Sequence, residues 1–154
     1  MGTKERPEDD KEILFVCESN AGSSQMAQAF AEECGLKASS AGRHPTAVVN
    51  PIVVQVMNEK NIDISRRTPR PLTPELVNRA RLVIAIGCSL EDAFPQPLRP
   101  TMRRITLDWN WKGMKKMRIE DVRKTRDEIE RRVAELSNVH AANLLSRQGV
   151  DSFR

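Results

Sequence analysis

The feature that most narrows the choice of fold is a short apolar run, residues 13–17, that stops at a polar loop and resumes as an amphipathic helix. Ile13, Leu14, Phe15, Val16 and Cys17 show no polar alternation and read as a strand buried on both faces. Glu18, Ser19, Asn20, Ala21 and Gly22 then break the run with polar and small residues. Ser23 or Ser24 can cap the helix that follows. Met26, Ala29, Phe30 and Cys34 fall at i, i+3, i+4 and i+8, so all four are expected on its inner face, with Gly35 as the terminating residue.

The same grammar repeats along the chain. Residues 36–41 read as a second strand, and Asn50-Pro51 opens a second helix with Asn as N-cap and Pro at its first position. Its apolar face is Ile52, Val53, Val56 and Met57. A basic, proline-rich connector at 66–71 leads to Thr73-Pro74-Glu75, which starts a short helix through Ala80. Residues 82–86 form a third buried strand, and 103–107 a fourth beyond the proline-broken stretch 95–100. Val122, Ile129, Val133 and Leu136 recur with a helical period, so a long helix from Ile119 to about residue 145 closes the domain. Strands alternating with helices predict an α/β three-layer sandwich, a parallel sheet with helices on both faces. The 154 residues suit one domain, 12–146, between a flexible N-terminal tail, 1–11, and a C-terminal tail, 147–154.

Composition removes several functional classes. Hydrophobic residues at 39% and charged residues at 30% predict a packed core rather than a disordered chain. There is no signal-type apolar segment at the start and no run approaching the ~18 apolar residues of a membrane span, so a cytoplasmic protein without membrane contact is expected. Met1-Gly2 opens the chain, but Arg6 stands where a myristoylation signal needs Ser or Thr. Cys17, Cys34 and Cys88 are odd in number and widely spaced, which suits a reducing compartment and gives no zinc-site spacing, so neither a metal nor a cofactor is expected. The net charge of +4 is spread among acidic residues and argues for a small anionic ligand rather than nucleic acid. The densest basic run, Lys112, Lys115, Lys116 and Arg118, has Trp109 and Trp111 beside it and reads as a pocket wall or packing.

In an open parallel sheet, ligands bind beyond the carboxyl ends of the strands, where a loop enters a helix N-terminus. Residues 17–24 occupy that place. Backbone N–H groups and the helix dipole favour an oxyanion there, and the same field favours the thiolate of Cys17 and makes it a nucleophile. By position alone Cys17 also reads as a small buried hydrophobe at a strand end. Other candidates near the loop are His44, which shapes the anion site or sits at the surface, and Arg43 and Arg66, which can turn toward it.

The stretch Phe15-Val16-Cys17-Glu18-Ser19-Asn20-Ala21-Gly22-Ser23-Ser24-Gln25-Met26-Ala27-Gln28-Ala29-Phe30 resembles the phosphate-binding loop of low-molecular-weight tyrosine phosphatases and thioredoxin-coupled arsenate reductases. So do Ser40-Ala41-Gly42, His44-Pro45, Pro71-Leu72-Thr73, Gly87-Cys88 and Arg126-Asp127-Glu128-Ile129, in that order. The resemblance implies a four-stranded parallel sheet of order 2-1-3-4. It makes Cys17 the nucleophile, Asn20 the brace of the loop, Ser24 the hydroxyl that bonds the thiolate, and Glu18, Ser19, Ala21, Gly22 and Ser23 the rest of the oxyanion cradle. Cys88 matches the second thiol of the reductases. The implied partners are a phosphate, arsenate or phosphotyrosine-type oxyanion and a thioredoxin-like reductant.

The family pattern departs here at three places. Its loop is Cys-x5-Arg, and Ser23 stands at the arginine; a transition-state arginine in phosphoryl transfer is worth about 10³ to 10⁵ in rate. Gly113-Met114 falls at the Asp-Pro general acid, whose loss costs a further factor of about 10² to 10⁴, with Asp108 the nearest substitute. Phe94 takes the place of the third thiol. Two readings follow: a cysteine-dependent arsenate reductase or tyrosine phosphatase with lowered turnover, or a catalytically inactive relative that binds an oxyanion or a partner. Cys34 reads as core.

Overall fold

A computed structural model of the chain describes residues 12–87 and 118–147. In them β1 (Glu12–Cys17), α1 (Ser23–Glu33), β2 (Ala38–Gly42), α2 (Pro51–Asn58), α3 (Pro74–Arg79), β3 (Ala80–Ala85) and α4 (Ile119–Arg147) follow one another. Strand β1 lies in the middle of the order β2-β1-β3 and pairs in parallel with both neighbours, Cys17 opposite Gly42 and Val16 opposite Ala85. A central parallel strand has no face in water, which is why residues 13–17 carry no polar alternation.

Successive side chains of β1 enter opposite layers. Ile13 and Phe15 pack with Met26 and Phe30 of α1, Val53 and Met57 of α2, and Val122, Ile129 and Val133 of α4. Leu14 and Val16 pack with Ala41, Val83 and Ala85 and with Leu76 and Val77 of α3. The α/β architecture, a parallel sheet between helical layers, is therefore as the sequence implies, as is the order 2-1-3 of its first three strands. The expected fourth strand at 103–107 lies outside the described residues. So do Cys88, Phe94, Asp108, Trp109, Trp111, Lys112, Gly113, Met114, Lys115, Lys116 and the tails at 1–11 and 148–154. Among the described residues no helix is long and apolar enough to cross a membrane.

Helix α2 starts as expected, with Asn50 Oδ1 accepting from the N–H of Ile52 at 3.0 Å and Pro51 in the first turn. Helix α3 does likewise, with Thr73 Oγ1 accepting from the N–H of Leu76. The end of α1 corrects two expectations. Gly35 has φ +81, the N–H of Leu36 reaches back to Ala31 O, and that of Gly35 to Glu32 O. This paired closure lets buried Leu36 dock on the core, so β2 begins at Ala38 rather than at residue 36. Cys34, expected as core, is exposed. Its backbone, at φ −81 and ψ 1, has already left the helical path, so the period that carries Met26 and Phe30 inward no longer applies.

The closing helix is fastened to α2 by charge. Arg126, 7% exposed, donates from Nη1 to Val56 O at 2.9 Å and to Glu59 Oε1 at 2.7 Å. Arg123 grips the same carboxylate through Nε and Nη2. Hydrogen bonds from Arg123, then Arg126, hold the Glu59 carboxyl down at about 2, against an ordinary 4.5. A carboxyl depressed in the folded state stabilises the fold above its unfolded value, and that stabilisation is lost as pH falls from 4.5 toward 2. Glu59→Gln should therefore lower the melting temperature at pH 7, and its deficit against the parent should shrink across that acid window. A deficit that stays constant with pH would remove the ion pair from the account.

Candidate active site

The carboxyl end of β1 delivers Cys17 into a loop whose carbonyl groups are almost all taken from one side. The N–H groups of Arg43, His44, Thr46 and Asn50 bond the carbonyls of Cys17, Glu18, Ser19 and Ala21 at 3.1, 2.7, 3.2 and 2.9 Å. In a planar trans peptide the following N–H points the opposite way, and no peptide here is cis. The amides of Glu18, Ser19, Asn20 and Gly22 are thus turned to the other side of the loop. That of Asn20 ends on Cys17 Sγ at 3.2 Å. The segment that zips onto the loop comes so close that a Cβ on Gly42 would lie 2.7 Å from both Asn20 N and Ser19 C, backbone atoms that cannot yield.

Asn20 is the hub. It is fully buried, and its φ of +52 is a conformation that Asn tolerates better than most residues. The backbone N–H of Arg70 donates to its Oδ1 at 3.0 Å, which fixes which end of the amide is oxygen. Gln25 Nε2 donates to the same oxygen. The two Nδ2 protons then go to Ser24 Oγ at 2.8 Å and Ser40 Oγ at 2.9 Å. Ser40 in turn donates to Gln28 Oε1. Ser24 Oγ, having accepted from Asn20, has its own proton for Cys17 Sγ, 2.8 Å away. Sγ therefore accepts from a hydroxyl and an amide.

The start of α1 corrects the expected cap. Gly22 is the N-cap, no side chain caps the helix, and its first turn contains no acidic residue. Ser24 is committed to Cys17 and Asn20, and Ser23 is buried as the first helical residue. The positive end of the α1 dipole is left uncompensated beside Sγ, the electrostatic setting for an anion.

The profile of the low molecular weight phosphotyrosine protein phosphatase family matches residues 12–148. The chain belongs to this family. It is 38% identical over 132 residues to a putative arsenate reductase of Halobacterium salinarum, covering 79% of this chain and 87% of that one. An arsenate reductase in a phosphate-binding state superimposes with a TM-score of 0.70 at 30% identity, over 83% of this chain and 97% of that one. An arginine phosphatase from Geobacillus stearothermophilus reaches a TM-score of 0.76 at 25% identity, over 88% and 96%.

Within the family fold, hydrogen bonds join Cys17, Asn20 and Ser24, and Ser19, Ala21, Gly22 and Ser23 lie along the turn between them. Glu18 stands at the exposed mouth, where His44 Nδ1 lies 2.6 Å from its Oε1 and Arg43 Nη1 3.4 Å from its Oε2. Arg66 lies in the exposed turn after Ile64. The roles of Gln25, Gln28 and Arg70 escape a reading of the loop alone. Arg70 carried a signal: in Pro69-Arg70-Pro71 it is the only residue with an N–H to give, and that N–H goes to Asn20.

Proposed function

We propose that residues 17–24 bind an oxyanion and that Cys17 attacks it, with arsenate as the substrate and Cys88 as the second thiol. The carrying observation is that Cys17 Sγ accepts from Ser24 Oγ and Asn20 N at the uncapped start of α1. The names of the relatives support arsenate: the Halobacterium salinarum protein is a putative arsenate reductase, and a Bacillus cereus protein, 34% identical over 133 residues, is an arsenate reductase.

In the proposed sequence the Cys17 thiolate bonds to arsenic as an arsenate oxygen leaves as water. The Cys88 thiolate then attacks Cys17 Sγ. The sulfur–arsenic pair stays on arsenic, which leaves as arsenite, and a Cys17–Cys88 disulfide remains. Disulfide geometry needs the two Cα atoms within about 7 Å. With Phe94 at the position of a third thiol, an external thioredoxin-like dithiol has to attack that disulfide directly, so recycling is slow. Hydrolysis of phosphate esters is disfavoured more strongly, since Ser23 gives no positive fork and Gly113-Met114 no acid.

A second reading is favoured by one observation, the buried Ser23 at the loop arginine's place: the chain binds oxyanion without turning it over. Peptide mapping after arsenate treatment separates the two. A Cys17–Cys88 disulfide is expected, with Cys34 free; Cys17 as sulfinic acid beside a free Cys88 would rule out the two-thiol reaction.

A further inference from the structure

Behind Cys17 runs a chain of side-chain hydrogen bonds whose direction is not fixed by the positions of its members. Asn20, Ser24, Gln25 and Ser40 are all buried. An amide turned end for end presents a donor where it presented an acceptor, and a hydroxyl serves as either. Two arrangements therefore suit the same atoms.

In the one observed, Asn20 Oδ1 accepts from Gln25 Nε2, and Asn20 Nδ2 donates to Ser24 Oγ and Ser40 Oγ. The two hydroxyl protons are left for Cys17 Sγ and Gln28 Oε1. In the reverse one all three amides are turned. Asn20 Nδ2 donates to Gln25 Oε1, Asn20 Oδ1 accepts from both serine hydroxyls, and Ser40 Oγ accepts from Gln28 Nε2. Ser24 Oγ then has only lone pairs for Cys17, whose sulfur has to be the donor. A sulfur that keeps its proton is a thiol, and the thiol is not the nucleophilic form. Gln25 does not choose between the two directions: it leaves one buried amide atom without a partner either way, Oε1 as observed and Nε2 in reverse.

One donor in the network cannot be reversed. The backbone N–H of Arg70 points at Asn20 Oδ1 at 3.0 Å and would meet the Nδ2 hydrogens donor to donor if the amide were turned. Arg70 is held in that place by its neighbours. Its carbonyl accepts from the N–H of Gly42 at 2.9 Å, the next N–H along, that of Leu72, returns to Gly42 O at 2.9 Å, and Arg70 Nε donates to Ser40 O at 3.0 Å.

We infer that the backbone N–H of Arg70 sets the direction of this chain, so that Ser24 donates to Cys17 Sγ rather than accepting from it. Resting on the proposed role of Cys17 as the nucleophile, this makes Arg70 a positioning residue, which touches no reacting atom and acts through Asn20 and Ser24.

Iodoacetamide labelling of Cys17 at pH 7, read by peptide mass spectrometry beside Cys34, tests it. Arg70→Pro removes the N–H. Residue 70 precedes a proline and is already biased to extended backbone, where a proline fits and its carbonyl remains for Gly42. Cys17 should react at least about tenfold more slowly in this variant. Arg70→Ala, which keeps the N–H and loses only the bond to Ser40 O, should cost at least about threefold less than Arg70→Pro. In a Ser24→Ala background Arg70→Pro should slow Cys17 no further, because the direction of the chain reaches the sulfur only through the Ser24 proton. A role in stability alone would not depend on Ser24. If Arg70→Pro does not fold, NMR of the parent decides: nuclear Overhauser contacts should place the Asn20 amide protons against the β protons of Ser24 and Ser40, and finding them against the Arg70 N–H overturns the inference. So does a folded Arg70→Pro that labels like the parent, or that slows Cys17 equally with and without Ser24; both leave Cys17 as the nucleophile. A parent whose Cys17 reacts no faster than Cys34 overturns both.

Discussion

Ser23→Arg should raise turnover of an aryl phosphate by at least about tenfold and by as much as 10³, the lower part of the range that a transition-state arginine supplies. The equatorial oxygens of a transferring phosphoryl group gain charge that Ser23, buried at the first position of α1, meets with at most one hydrogen bond. A guanidinium at that position adds two parallel charged bonds and is worth more in the transition state than in the bound ester. Under the proposed alignment of Gly113-Met114 with the general acid, the gain is capped, because the leaving oxygen receives no proton there. Steady-state kinetics should put the improvement largely in kcat. A variant that neither turns over faster nor binds phosphate more tightly would mean that position 23 does not face the ligand.

Asn20→Ala should be the most damaging single truncation in the site. It strands Gln25 Nε2 and the Arg70 N–H and takes the amide donor away from Ser24 Oγ and Ser40 Oγ, which keep only Cys17 Sγ and Gln28 Oε1. Each stranded buried group costs about 1–3 kcal/mol, and alanine also loses the tolerance for φ +52, so a deficit of roughly 3–5 kcal/mol in denaturant unfolding is expected. Cys17 should lose reactivity in the same variant, since Ser24 is no longer polarised to donate to Sγ. Asn20→Asp separates the two effects. It keeps the shape and both acceptor bonds but cannot donate to either serine, so Cys17 reactivity should fall by at least about tenfold even where the variant folds. A reactive Cys17 in Asn20→Asp would show that the hydroxyl is oriented by something else.

Much of this site is legible in residues 13–24 because both of its determinants are local. An apolar run that fits only a central parallel strand fixes where the chain turns, and the polar loop after it has to lie at the ligand end of the sheet. The helix starts at Asn50-Pro51 and Thr73-Pro74 are legible for the same reason, since a cap is set by residues within one turn. What sequence periodicity misreads depends on where an element stops. Cys34 continues the inward period of Met26 and Phe30, yet the backbone leaves the helix at that residue and Leu36 takes the core position. Ser23 and Ser24 have the side chains of a cap, yet the one that donates usefully is drawn to Cys17. Contacts such as Arg70 to Asn20 or Arg126 to Glu59 span 50 and 67 positions and leave no local trace. Only the prolines flanking Arg70 hint that its single N–H has a destination.

The central claim is the proposal that Cys17 is the reactive nucleophile of an oxyanion cradle. Cys34 is exposed and Cys17 is buried, so accessibility and chemistry predict opposite orders of alkylation. The direct measurement is the rate of iodoacetamide modification of each cysteine at pH 7, by peptide mass spectrometry, with and without phosphate or arsenate. Cys17 should react ahead of Cys34 despite its burial, and either oxyanion should slow Cys17 while leaving Cys34 untouched. Modification of Cys34 first, with a Cys17 rate indifferent to both oxyanions, would contradict the account.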